Sequence, residues 1–584
     1  MRRSVRSSIH LFLALACVPN ASVPTDSARP HGPLGSEPST VVVDPTTSDT
    51  GDTSQATTSP DTGARPPLTI TQQPVVCADP SARERLGAFE RRFAPGPGLA
   101  DAGLVGGAIV AADLTGDDRV DLFVPHADGT AQLWAQSAEG GFDDVGPAWF
   151  GGLDLVDATA ATAVDVDGDG DLDLFVARWA RPHRLLRNDG DRFVDITAAS
   201  GLGDTAWRSQ ATAWGDLDRD GDLDLVVGNH GDVPATHDDP AMPPADPAEL
   251  YRNEGDGTFT DVGYLLPPEL RDAHNSVVAF VDVDGDGWPE LLSAHEYGLA
   301  RSSVLLANHG GTLEVDPDSG FHPGFASMGL GIGDMNGDGH PDLLQSSWRM
   351  LSLLQSLPAA GGVGARWIEF APALGLQPDI GPSGRCFGAL EAAQHQCYGW
   401  GAELADVDND ADLDAAVVFG FWSTYPSTRR HQRDGLWVQD ADGQFVDQAD
   451  ALGFADAGSG RGLVAADING DGWVDLVKRE LEGASPLYLS RCGDAGWLRV
   501  RPRDRGPNTM AVGARVTVEV DGAEQSRWIL AGGHGLYGSG TPEAHFGLGA
   551  SDVVDALRVR WSDGTVDRLE GPIAARQVLT LQRN

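Results

Sequence analysis

An acidic nine-residue loop that recurs seven times, a hairpin pattern that follows it, and a change of pattern after Cys492 predict an all-β protein. The period, about sixty residues holding four short strands, is that of a propeller blade. The fold class is therefore a seven-bladed β-propeller followed by a small β-sandwich-like domain.

The loop is clearest at Asp165, Asp167, Asp169 and Asp173. Carboxylates at positions one, three, five and nine can supply most of the six to eight oxygens that a hard divalent cation takes. Gly168 and Gly170 permit the tight turn, and position seven can offer its carbonyl. The first copy is Asp113, Asp117 and Asp121, with Thr115 at position three. Then come Asp216, Asp218, Asp220 and Asp224; Asp282, Asp284, Asp286 and Glu290; and Asp334, Asn336, Asp338 and Asp342. The last two are Asp406, Asp408, Asp410 and Asp414, then Asp467, Asn469, Asp471 and Asp475. An EF-hand needs Glu at position twelve between two helices. Val176, Ser293 and Lys478 stand there instead, and the flanks are short apolar runs that read as strands. The loops predict up to seven Ca²⁺ ions. The first site is the weakest, because Thr115 replaces a carboxylate and Asp118 a glycine.

Arg2, Arg3 and Arg6, the apolar run Ile9–Ala16 and Cys17 form an export signal that ends in a lipobox-like Leu-Ala-Leu-Ala-Cys. Residues 1–17 are read as a signal peptide, with lipidation at Cys17. Residues 18–76, rich in Ser, Thr, Pro and Asp, are read as a disordered tether. The propeller spans 77–492. Loop starts are 52, 51, 66, 52, 72 and 61 residues apart, so insertions fall in the third and fifth intervals. Leu185–Asp195, Leu250–Phe259 and Leu436–Phe445 each read as an apolar pair, an Asn/Asp/Gly turn and a Phe-bearing return strand. The last blade lacks such a return strand, and the segment Phe89–Phe93 with Pro95–Leu99 is expected to supply it, closing the ring. Beyond Cys492, alternating runs at Trp497–Arg501, Ala514–Val520, Arg527–Leu530, Ala556–Trp561 and Gln577–Leu581 read as a separate all-β unit, 493–584.

The acidic loop and the Asn-x-Gly-Asp-Gly hairpin, recurring in one order, resemble FG-GAP or VCBS repeats of integrin-alpha-like propellers, whose loops bind Ca²⁺. The C-terminal segment resembles the ASPIC/UnbV domain in Asn508, Val512–Ala514, Gly538-Ser539, His545–Gly549 and Val559–Gly564. Together they are similar to cartilage-acidic-protein-like secreted proteins.

A net charge of −45 excludes nucleic acid as a partner, since phosphate contacts need clustered Lys and Arg. Four cysteines besides Cys17 suggest two disulfides in an exported chain: Cys386 with Cys397 inside one insertion, and Cys77 with Cys492 bracketing the propeller, with Cys77 to Cys386 or Cys397 as the alternative. No catalytic motif stands out. Gly532–Gly535 reads as a glycine-rich loop with a structural His534. Trp179, Trp207, Trp348 and Trp422 either stack on sugar rings or pack between blades. The function expected is calcium-stabilised binding of a protein or glycan at the cell surface. The rivals are a propeller-based polysaccharide lyase or hydrolase and a structural surface scaffold.

Overall fold

The computed structural model describes residues 39–43, 68–75, 87–88, 106–138, 140–232, 244–297, 302–321, 326–348, 350–358, 365–377, 397–420, 431–481, 485–490 and 492–584. Cys17 and the export signal, Cys77, Cys386, Trp422 and most of the tether lie outside them. Within them, the aliphatic flanks of each acidic loop pair as the first two strands of an antiparallel sheet, and the hairpin adds the third and fourth. In the first blade Ile109–Ala112, Asp121–Pro125, Ala131–Gln136 and Phe142–Asp144 lie side by side, and residues 113–121 form the turn between the first two.

Seven such sheets are present among the described residues, five of four strands and two, those of the first and third blades, widened to five by the short strands Gly538–Ser539 and Ala531–Gly532. Their inner strands are Ile109–Ala112, Ala158–Val164, Ser209–Gly215, Asn275–Val281, Ser327–Gly333, Gly399–Ala405 and Gly460–Ala466. Each touches the next, and the seventh touches the first, so the sheets close a propeller ring. Small residues make that approach possible: a β-carbon on Gly329 would lie 2.1 Å from the Trp400 carbonyl oxygen. The outer strand of the seventh blade comes from upstream, where Gly87 and Ala88 pair with Leu489 and Tyr488. This closing strand directly precedes the segment expected from the sequence, Phe89–Phe93 with Pro95–Leu99, which lies outside the described residues.

Buried His–Glu pairs bridge neighbouring blades. His183 Nε2 lies 3.0 Å from Glu249 Oε2, and His230 Nε2 lies 2.6 Å from Glu296 Oε2. Trp179 packs beside His230, with ring centroids 5.9 Å apart. Trp348 stacks on Tyr398 at 5.8 Å, so both tryptophans serve as inter-blade packing.

Past residue 492 two sheets face each other over a core that includes Leu498, Val516, Phe546, Leu557, Trp561 and Leu579. One sheet runs Ala523–Trp528, Arg515–Val520, Val553–Arg560, Val566–Ala574. The other includes Gln577–Arg583, Gly496–Arg503 and Ala544–Gly549, and it is extended by Leu68–Pro74 and Ser39–Val43. Leu68–Pro74 corrects the reading of 18–76 as wholly tether. It pairs with Gln577–Arg583 over its whole length, and Leu68 and Ile70 are buried in the core. The polar residues around it mask a four-residue alternation, Leu-Thr-Ile-Thr.

The two halves are also joined along the ring axis, where the segment Ala531–Gly540 enters the propeller and meets every inner strand. Gly532 pairs with Ala213 of the third, and Gly538 pairs in parallel with Ile109 of the first. The N–H of Ala161 in the second donates to the Tyr537 carbonyl at 3.2 Å, and that of Gly535 donates to Leu330 of the fifth at 3.0 Å. Gly533 rests on Val278 and Ala279 of the fourth, and Gly535 on Glu403 of the sixth and Leu463 of the seventh. His534 Nδ1 is 3.1 Å from Glu403 Oε1. The glycine-rich stretch is a plug.

Two outcomes follow from this packing. A β-carbon on Gly535, whose φ is +70°, would sit 2.3 Å from the Leu463 oxygen, whereas Gly522, at φ +82°, has open space. Gly535→Val is expected to cost about 2–4 kcal/mol and Gly522→Ala about 1 kcal/mol, read from chemical denaturation; equal losses would show that the plug is not packed in the ring. For Glu249, burial raises the carboxyl pKa, but His183, Thr205 and Tyr251 outweigh it and hold it down at about 2. Its contribution is complete above the unfolded value near 4.5 and is lost as pH falls toward 2. Glu249→Gln should therefore destabilise at pH 7, on the order of 3 kcal/mol, with the gap to wild type closing below about pH 4. A gap that is constant with pH would contradict the charge-based account.

Candidate metal sites on one face of the ring

The acidic loops all lie on one face, where the first strand of each blade turns into the second. The ninth-position carboxylate does the local structural work. In the second blade the N–H of Val166 donates to Asp173 Oδ2 at 2.9 Å, and the N–H of Asn188, on the third strand, donates to Oδ1 at 2.7 Å. Leu217 and Asn253 hold Asp224 in the same way, Val407 and Gln439 hold Asp414, and Ile468 and Ser490 hold Asp475. Leu114 and Gln136 hold Asp121, and Met335 and Ser356 hold Asp342. The first-position carboxylate closes the turn from the other side: Asp165 accepts from the N–H groups of Gly168 and Gly170 at 2.8 and 3.0 Å.

These bonds aim carboxylates at one another. In four loops three acidic side chains each bring an oxygen within 4.8 Å of the others: Asp165, Asp167 and Asp173; Asp216, Asp218 and Asp224; Asp282, Asp284 and Glu290; Asp406, Asp408 and Asp414. The fifth-position acids Asp169, Asp220, Asp286 and Asp410 stand outside these groups. Each accepts the N–H two residues on, from Asp171, Asp222, Trp288 and Asp412. In the fifth and seventh loops Asn336 and Asn469 occupy position three and donate to Asp338 and Asp471 at 3.1 Å. In the first loop Arg119 pairs with Asp117, and Asp113 accepts from Gly116, Asp117 and Asp118.

Concentrating negative charge in a buried turn is costly, and the carboxyl groups register it. Burial, then neighbouring carboxylates, pushes Asp173 and Asp224 up to about 8 and Asp216 up to about 7. Burial does the same to Asp406, up to about 8, and raises Glu290 and Asp414 well above the usual carboxylate range. Asp216 Oδ1 and Asp218 Oδ1 are buried with no hydrogen-bond partner. Oxygens in that condition, converging with a third carboxylate, fit a hard divalent cation held by Asp216, Asp218 and Asp224.

Sequence reasoning missed a second set of residues. In three blades the side chain ending the hairpin's first strand reaches the preceding blade's loop: Asn188 Nδ2 donates to the Leu114 carbonyl at 3.0 Å, and Asn308 Nδ2 to Leu217 at 2.9 Å. Gln136 Nε2 donates to Ile468 at 3.0 Å, across the junction of the first and seventh blades. The Asn of the hairpin motif was legible as a turn signal; its reach to a neighbouring blade was not.

Because Asp224 ties two strands and Asp220 is exposed, the two should separate in chelator. Asp224→Ala is expected to lose on the order of 3 kcal/mol and Asp220→Ala less than about 1 kcal/mol in urea unfolding. Similar losses for both would argue against the strand-tie role.

Comparison with known proteins agrees with this architecture. An FG-GAP-like repeat model matches residues 113–176, 165–227, 241–293 and 282–344, and the ASPIC and UnbV model matches 504–584. Cartilage acidic protein 1 of Mus musculus is 34% identical over 168 residues, 27% of this chain and 25% of that protein. The Homo sapiens protein is 33% identical over 168 residues (27% and 24%), and the Xenopus tropicalis protein 36% over 171 (28% and 25%). The chain thus matches about a quarter of the length of these curated relatives. Among solved structures it is similar to BBS1N crystallised with ARL6DN, at TM-score 0.39 and 10% identity, over 70% of this chain and 98% of that one. An Agrocybe aegerita lectin that recognises non-reducing terminal N-acetylglucosamine aligns at TM-score 0.38 and 16% identity, over 66% and 94%. The chain carries FG-GAP-like repeats in its propeller and an ASPIC and UnbV domain at its C-terminus, and it is similar in sequence to cartilage acidic protein 1.

Proposed function

We propose that this chain is an exported, calcium-stabilised binding module for a protein or glycan. The observation that carries the calcium part is the convergence of three carboxylates within 4.8 Å in four separate loops. Each ion would neutralise charge that otherwise strains a turn between strands, so its role is structural. The binding part is supported by the propeller and by the similarity to cartilage acidic protein 1. The axial channel is filled by Ala531–Gly540 and the loop-bearing face meets the C-terminal domain, so recognition is assigned to the opposite face and the rim. Lipidation at Cys17 and the Cys77–Cys492 and Cys386–Cys397 bonds belong to the same proposal. Cys397 and Cys492 are buried and disulfide-bonded, and the partners proposed for them lie outside the described residues.

Thermal melts in calcium, magnesium and EDTA test the first part. Millimolar calcium is expected to raise the melting temperature by several degrees over EDTA, with magnesium intermediate; identical melts in all three would remove calcium from the account. Probing glycan and protein arrays with the calcium-loaded protein and the chelated protein tests the second. Retention on a defined ligand that falls in chelator supports the module, and retention on none in either state overturns it.

A further inference from the structure

The seven loops are not equivalent, and the seventh differs by what the C-terminal domain places on it. Arg499, on the strand Gly496–Arg503, is 3% exposed, and its Nη1 lies 2.6 Å from Oδ2 of Asp467, the loop's first-position carboxylate. The guanidinium is held by a second acid: Nε donates to Glu543 Oε1 and Nη2 to Oε2, both at 2.9 Å. Arg501 Nε also donates to Glu543, at 2.9 Å. A bidentate pair of this kind fixes the fork in place, so Arg499 is not free to swing away from the loop.

The rest of the loop is built around that arrangement. Asp467 Oδ1 accepts from Asp471 N at 2.9 Å and Oδ2 from Gly472 N at 2.8 Å, so Oδ2 takes two donors, Gly472 N and Arg499 Nη1. The Gly472 carbonyl accepts from His545 Nε2 at 3.0 Å and Asn409 Nδ2 at 3.1 Å. Trp497 covers Gly472 so closely that a β-carbon there would lie 1.8 Å from its ring. Position three is Asn469, so the loop has one carboxylate fewer than the second loop, and it is not among the four whose acids converge. The second loop differs in kind: the C-terminal group reaching Asp165 is the neutral hydroxyl of Thr509.

We propose that Arg499 is the resident cation of the seventh loop, taking the place that a divalent ion holds in the second, third, fourth and sixth, so that this turn forms without calcium. The inference rests on reading those four loops as calcium sites. A guanidinium fixed in hydrogen-bonding contact with the first-position carboxylate repels a second positive charge, whereas Arg560 stands off Asp282 of the fourth loop at 3.9 Å; the seventh turn is already closed by Arg499, His545, Asn409 and Trp497.

Calcium counting on the full chain by equilibrium dialysis, with native mass spectrometry as a second readout, tests this. Asp165→Asn should lower the count by one ion per chain. Asp467→Asn should leave the count unchanged while lowering the melting temperature. Arg499→Met, close in volume, should leave the count unchanged or raise it by one. An Asp467→Asn protein that also loses one ion overturns the proposal and leaves the calcium reading intact. A chain that binds no calcium, with Asp165→Asn equal to wild type, overturns both. Where Asp467→Asn fails to fold, Asn469→Asp decides: an unchanged count supports Arg499 as the cation, and a loop that loads an ion at wild-type Arg499 overturns it.

Discussion

The structure depends on one bond pattern repeated around the ring. A ninth-position carboxylate accepts one N–H from its own turn and one from the third strand of its blade, as Asp173 does from Val166 and Asn188. Those two bonds fix where the first two strands part and where the third docks. A buried carboxylate that accepts two backbone N–H groups rewards a single register, because a slip by one residue would leave the charge and both donors unpaired. The acidic spacing is therefore a folding instruction before it is a metal site. The same turn draws further carboxylates toward the one that ties the strands, and in four loops three of them converge.

Closure poses a separate physical problem. A ring of sheets has a seam, and an unsealed seam exposes strand edges. Here three devices meet at the seam between the first and seventh blades or across it. Gly87–Ala88 completes the seventh sheet, Gln136 reaches back to Ile468, and Gly538 pairs with Ile109 on the axis. The plug adds something the edge strand cannot. By bonding to inner strands of several blades at once, it converts separate nearest-neighbour contacts into one shared core, so Leu536 and Tyr537 pack in the same cluster as Val110, Ala161 and Leu330. Opening one blade then disturbs contacts to the others.

What the sequence disclosed tracks how local each interaction is. Loop spacing, the strands beside the loops and the hairpins are encoded within a dozen residues, and they were legible. Leu68–Pro74 was not, because composition was read over a long polar window and only Leu68 and Ile70 carry the signal. The axial role of Gly532–Gly538 was hidden because glycine is chosen there for close approach to the inner strands of all seven blades, which a turn motif alone does not reveal. The fifth-position acids show a second use of one spacing. The spacing marks them as ligands, and in the structure one oxygen of each also accepts the N–H two residues on.

Charge explains why the C-terminal domain sits where it does. The ring face that collects the acidic loops gathers carboxylates from every blade of a chain with net charge −45, and the docked domain answers it with arginines. Arg499 meets Asp467, Arg501 lies 3.4 Å from Asp118, Arg560 Nε is 3.9 Å from Asp282, and Arg515 donates to the Gly339 carbonyl of the fifth loop at 2.7 Å. Arg527 is half-buried, and the loss of solvent depresses its pKa, while the charges of Asp406 and Asp334 favour its protonated form. Desolvating an arginine costs several kcal/mol unless a fixed negative partner compensates. Divalent ions in the loops would weaken each of these attractions while ordering the turns that present them. On the calcium reading, domain docking and ion loading would draw on one set of carboxylates, and the share each takes would be set loop by loop, by how closely an arginine or a hydroxyl approaches the first position.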